Sequence, residues 1–196
     1  MTMEPCRPEY VKAASAIIAE GFIGKFSKMG LSRATVTCLM EELWETGQNH
    51  KYFVEITNNE VVAGVHLKWN GPKSNVSEKE LCERYGSSEV SKFIRGMEAL
   101  YEDVTDGDCY IVELAVTSDQ RGKGIATSVI GNIIDFARDE GFRRVTLFVS
   151  DRNETAHKLY EKMGFKTEYV KESFLEKLYF DEPKWRFMTF DLSRCI

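Results

Sequence analysis

No apolar run in this 196-residue sequence approaches the length of about 20 residues that a membrane-spanning helix requires. The opening segment, MTMEPCRPEY, has no basic stretch followed by an apolar one, so the pattern of a secretory leader is missing. Five cysteines (Cys6, Cys38, Cys82, Cys109 and Cys195) are an odd number, and none is spaced C-x-x-C. That argues against a structural zinc site and a disulfide framework, and makes the cytoplasm the expected compartment. An excess of positive charge is also lacking. Lys and Arg total 26 against 31 Asp and Glu, for a formal net charge of -5. Nucleic-acid binding wants a basic footprint, so neither a nucleic acid nor a membrane is expected as partner. Internal repeats and low-complexity stretches are absent, and one domain over residues 1–196 is the expectation.

What is present is a change of period along the chain. EYVKAASAIIAEGF sets Val11, Ala14, Ile17 and Ile18 at helical spacing, and ATVTCLMEELWETG does the same with Val36, Leu39, Met40 and Leu43. The intervening FIGKFSKMGLS reads as an aromatic, basic loop. KYFVEIT and EVVAGVHLKW read as strands joined by Asn58-Asn59, a hairpin signal. The polar stretch at about 71–107 reads as a helical insertion, with Leu81, Tyr85, Phe93, Ile94, Met97 and Leu100 able to bury one side. CYIVELAV is a strand, and a helix with Val129, Ile130, Ile133 and Ile134 on one face follows it. RRVTLFVS is apolar and β-branched enough for a buried strand parallel to CYIVELAV. NETAHKLYEKMGF is a helix with Asn153 as N-cap and Gly164 just past its end. KTEYV and KWRFMTFDL are strand-like runs flanking KESFLEKLYFDEP. The middle thus reads strand, helix, strand, helix, with antiparallel strands on either side.

The stretch DQRGKGIATS, between CYIVELAV and its helix, carries the chemistry. A helix N-terminus presents unpaired N–H groups and a partial positive charge. Gly122 and Gly124 remove side chains from that end, and Arg121 and Lys123 add charge, which together suit a phosphate. The phosphate-loop pattern G-x-x-x-x-G-K-[ST] is absent. The dinucleotide fingerprint fits poorly, because TSDQR separates Val116 from Gly122 and its last glycine is missing. A glycine-rich turn without a ligand stays open on these residues alone.

The remaining pattern is R/Q-x-x-G-x-G/A, met by Arg121, Gly124 and Ala126, with Leu114, Ala115 and Val116 in the strand before it. A second pattern, N-x-x-A-x-x-x-Y-x-x-x-G-F, is met by Asn153, Ala156, Tyr160, Gly164 and Phe165. Together, over roughly residues 110–166, they resemble the GNAT superfamily of acetyl-CoA-dependent N-acetyltransferases. The resemblance implies an α/β (α+β) fold: a mixed, twisted sheet of six to seven strands with helices on both faces. It implies acetyl-CoA as co-substrate, with no metal. Arg121, Gly122, Lys123, Gly124, Ile125, Ala126 and Thr127 would cradle the pyrophosphate. Leu114, Ala115 and Val116 would pair with the pantetheine arm as an added strand does. Asn153 and Ala156 would border the coenzyme, and Tyr160 would protonate the leaving thiolate.

The general base is not fixed by the resemblance. Glu113 is the candidate beside the thioester, with water, a loop residue or a purely structural ion pair as alternatives; the histone-modifying branch carries its acid where this chain has Tyr110. His157 reads as a surface residue, and His50 and His66 have no evident partner. The expected acceptor is a primary amine on a small molecule or peptide, entering between FIGKFSKMG and FLEKLYFDEP. The second segment offers Glu176, Asp181 and Glu182, the first Lys25 and Lys28. A non-catalytic acyl-CoA sensor, a longer acyl chain and a homodimer all remain open.

Overall fold

The computed structural model describes residues 2–46, 52–69, 77–100, 104–172 and 174–193. The expectations placed on His50, Cys195, residues 71–76 and 101–103, and the side chains of Leu100 and Glu176 fall outside these residues. Among the described residues, seven strands form one sheet: β1 (Thr2–Pro5), β2 (Tyr52–Thr57), β3 (Glu60–Lys68), β4 (Asp108–Val116), β5 (Arg144–Ser150), β6 (Lys166–Glu172) and β7 (Lys184–Asp191), in spatial order β1-β2-β3-β4-β5-β7-β6. All neighbours are antiparallel except β4 and β5. The helices are α1 (Pro8–Phe26), α2 (Arg33–Thr46), α3 (Glu78–Tyr85), α4 (Ser87–Leu100), α5 (Ile125–Asp139), α6 (Glu154–Lys162) and α7 (Phe174–Phe180).

Helices cover both faces. One core gathers α1 to α4 around Phe26, Leu39, Trp44 and Phe93; the other packs α5 against β3, β4 and β5 through Val129, Ile130, Ile133 and Leu147. The expected β2–β3 hairpin turns on Asn58 and Asn59, at φ 53° and 63°, the left-handed pair of a two-residue turn. The insertion contributes α3 and α4, which bury Leu81, Phe93 and Met97; Phe93 stacks on Phe26 with ring centroids 5.4 Å apart.

Two features depart from the sequence reading. FIGKFSKMG is not a loop at its start: α1 continues through Gly21 and Gly24 to Phe26, and only Ser27–Met29 form a 3₁₀ turn. Gly21 makes this continuation possible, because a Cβ there would lie 2.7 Å from the Ala115 Cβ. Its bare backbone lets the last turns of α1 lie directly on β4. The short strand β1 is also new, since TMEP has no alternation to reveal it; it forms by capping the edge of β2.

Two irregularities in β4 position the site. His66 and Leu67 of β3 face Glu113 and Ile111, so Val112 is an extra residue, a β-bulge. Before it, Cys109 and Ile111 face α5. After it, Leu114 and Val116 face α5, while Ala115 faces α1. The second is a splay. β4 and β5 pair only from Asp108↔Arg144 to Ile111↔Leu147, and beyond Ile111 the strands part. The paired end is pinned by Arg144, whose Nε and Nη2 meet Asp108 Oδ1 and Oδ2 at 3.0 and 2.6 Å, with Asp108 buried.

Candidate active site

A cavity of about 360 Å³ opens where β4 and β5 part. Val112 and Leu114 supply one wall and Phe148, Val149 and Ser150 the other. Asn153, Ala156 and Tyr160 of the α6 segment border it from one sheet face. Gly21, Phe22 and Lys25 of α1, with Glu182 and Trp185 of the β7 approach, border it from the other. One cavity thus meets groups from both faces through a gap in the sheet.

Asn153 caps α6, its side-chain oxygen accepting from the Ala156 N–H at 3.2 Å. Tyr160, two turns on, shares that face, and its ring lies 5.5 Å from Phe165. Burial pushes the Tyr160 phenol up to about 12. His157 points away, near Thr167 and Glu161.

The elbow stands outside the cavity, on the adjoining surface. Gly122 and Gly124 are left-handed, at φ 76° and 83°, and a Cβ on either would meet no atom within 4 Å. Gly124 is the N-cap residue of α5. The backbone of the elbow is therefore open to a ligand, and Arg121, Gly122, Lys123, Gly124 and Thr127 are exposed while Ile125 is buried. Arg121 folds back: its Nε donates to the Val116 carbonyl at 3.1 Å, and its Nη2 lies 3.8 Å from Glu20 of α1. Lys123 Nζ donates to Gln120 at 3.2 Å. Of the expected coenzyme-contacting residues, Leu114, Asn153, Ala156 and Tyr160 line the cavity; Ala115 turns its side chain to α1, and Val116 and Arg121–Thr127 lie beyond the rim.

Glu113 sits on the α1 face and is 1% exposed. Its Oε2 lies 3.6 Å from His66 Nδ1, and neither carboxylate oxygen accepts a hydrogen bond from the described residues. His66 stacks on Tyr52 at 4.4 Å. Burial, then the Glu113 charge, raises the Tyr52 pKa. Glu113 is not part of the cavity wall, although its neighbours Val112 and Leu114 are. The pairing with His66 was hidden in the sequence because it depends on the bulge at Val112.

On the α1 face the sequence named Lys25 and Glu182 and missed Trp185. Lys25 Nζ lies 4.4 Å from the Trp185 ring centroid and 4.8 Å from that of Phe22. Burial pulls its pKa down to about 8, against the opposing charges of Glu182 and Glu113. Trp185 Nε1 donates to the Glu182 carbonyl at 2.9 Å, and Ser150 Oγ donates to the Glu182 carboxylate. Lys28 is exposed and does not line the cavity, and Asp181 pairs with Arg152 at 3.5 Å. The alternation of Trp185, Phe187 and Thr189 in β7 was the available signal for Trp185. Among the described residues, no three His, Cys, Asp or Glu side chains gather as metal ligands, and no helix is long and apolar enough to cross a membrane.

Comparison with known proteins bears on the family and the fold. The profile of the Acetyltransferase (GNAT) family matches residues 25–165. The chain is 38% identical over 121 residues to a probable N-acetyltransferase camello of Xenopus laevis, covering 55% of this chain and 54% of that protein. It is 33% identical over 97 residues to N-acetyltransferase 8B of Homo sapiens, covering 48% and 42% respectively. The chain therefore spans about half the length of the curated relatives it matches. A solved N-acetyltransferase from Staphylococcus aureus Mu50 superimposes with a TM-score of 0.61 at 18% identity, covering 98% of both chains, which establishes likeness of fold.

Proposed function

The chain belongs to the GNAT acetyltransferase family, and from that premise we propose that it transfers the acetyl group of acetyl-CoA to a primary amine of a small molecule or peptide. The observation that carries this reading is the single cavity through the β4–β5 splay, with Tyr160 on one side and Lys25, Glu182 and Trp185 on the other. Such a passage suits a two-substrate reaction, because the substrates can enter from opposite faces of the sheet.

The residues present fit the coenzyme. The open glycine elbow offers amides at the start of α5 to a pyrophosphate. Beyond Ile111, β4 has an edge without a partner strand, which suits an extended, amide-bearing arm. When bound, acetyl-CoA supplies a thioester whose carbonyl carbon the amine attacks directly. A strand amide at Leu114 steadies the oxyanion, and Tyr160 gives a proton or hydrogen bond to the departing sulfur. Lys123, Ile125, Ala126 and Thr127 contribute backbone to the elbow, and Arg121 holds its shape through Val116 and Glu20. Glu113, coupled to His66, receives the amine's proton through intervening water, since its carboxylate lies behind the cavity wall.

A panel of primary amines with acetyl-CoA, assayed by release of free thiol, tests this reading. Thiol release with at least one amine, matched by acetylated product, supports it. Tight coenzyme binding without turnover of any amine would make the protein a sensor instead.

A further inference from the structure

Among the described residues Lys25 is the lysine that borders the cavity, and its surroundings suit a primary amine. Its ammonium lies against two aromatic rings, Trp185 and Phe22. The charges that favour its protonated form come from Glu182 and Glu113. Aromatic faces and carboxylates are what a primary ammonium seeks. The helix carrying it cannot withdraw easily, because Gly21 is packed onto Ala115, one turn before Lys25.

We infer that Lys25 is itself an acetyl acceptor: with no external amine present, its Nζ attacks the thioester held in the same cavity. The inference rests on the proposed acetyl transfer. In the step, the neutral Nζ forms a C–N bond to the acetyl carbon and the C–S bond breaks. The thiolate takes a proton from Tyr160, and the proton lost from nitrogen passes to Glu182 or Glu113. The acetyl donor is the coenzyme A thioester, so no other reactant is required. The lowered pKa supports the geometry: near 8, roughly a quarter of Lys25 is neutral at pH 7.5, against about a thousandth for an ordinary lysine. The product is an uncharged amide between Trp185 and Phe22, filling the place where an acceptor enters.

The test incubates the full chain with acetyl-CoA and no amine, and follows acetylation of each lysine by peptide mass spectrometry. Lys25 should be acetylated at least about tenfold faster than exposed Lys12 and Lys28, given its larger neutral fraction. The fraction labelled at a given time should not change on dilution of the protein. Added coenzyme A should slow Lys25 labelling and leave Lys12 and Lys28 unaffected, a control that needs no variant; Tyr160→Phe should slow it likewise. Labelling of Lys25 at the rate of Lys12 and Lys28, or at a rate proportional to protein concentration, overturns the inference. Thiol release with external amines alongside an unlabelled Lys25 overturns the inference and leaves the proposed function standing. No thiol release with any amine and no labelling overturns both.

Discussion

Tyr160 is a weak acid where it stands. Burial pushes it up to about 12, and an ordinary thiol ionises near 8.5, so outright transfer to a solvated thiolate would run uphill by about 3.5 pH units, or about 5 kcal/mol. Partial burial in the cavity would also disfavour the thiolate and narrow that gap. Donation in step with C–S cleavage is therefore the favoured route. Tyr160→Phe should lower kcat by about 10²–10⁴-fold while coenzyme affinity holds; a loss of under about threefold would pass the role to water. Since the phenol keeps its proton to about 12, kcat should show no falling limb assignable to Tyr160 between pH 8 and 10. A limb in that range that disappears in Tyr160→Phe would contradict the assignment. Glu113 is tested by replacement with Gln. The rate should fall most at neutral pH and recover as pH rises and free amine becomes abundant. A profile parallel to the parent's would leave Glu113 as the structural partner of His66.

At the scale of elements, what was legible in the sequence was what a single stretch of chain encodes. The elbow, the α5 stripe, the Asn153 cap and the Asn153–Tyr160 spacing depend on neighbours within about two turns. The proposed acceptor side depends on contacts between distant segments: Lys25 reaches Trp185 because α1 runs unbroken over Gly21 and Gly24, and Glu113 meets His66 through the β3–β4 register. Gly24 and the aromatic run from Phe22 looked like a loop, while Gly21, inside the expected helix, is where the close approach of α1 to β4 requires a glycine. The elbow supports a separable prediction. Gly124 is left-handed with open space above it, so a β-branched residue would confuse backbone strain with blockage of the ligand. Asn adopts left-handed φ readily. Gly124→Asn should therefore keep a melting temperature close to the parent's and still weaken coenzyme A binding in calorimetric titration. Unchanged affinity would remove the elbow from the coenzyme site.

For the whole molecule, the splay is a cost that its two ends offset differently. The closed end is held by four residue pairs of parallel ladder and by Asp108, buried and doubly bonded to Arg144. The open end has facing β4 and β5 edges that do not pair with each other, and the cavity lies between them. A ligand that lies along β4 and crosses to α6 replaces the missing pairing, and so should stabilise the fold itself rather than decorate its surface. At a coenzyme concentration of 100 times Kd, linkage gives about 2.7 kcal/mol. In a chain of 196 residues, each kcal/mol moves Tm by roughly 2–4 °C, so a rise of about 5–11 °C is expected. The Asp108→Asn variant makes this more discriminating. Removing one charge from a fully buried pair typically costs about 3–5 kcal/mol, and the loss here should be smaller, because Arg144 is 32% exposed and keeps Glu168 at 3.2 Å. The variant should melt lower, and coenzyme A should still raise its Tm, because the proposed coenzyme site lies at the opposite end of the cleft. Thermal melts of both proteins across a coenzyme titration make the comparison. A parent whose Tm does not move at saturating coenzyme would mean that the splayed edges are not where the ligand binds.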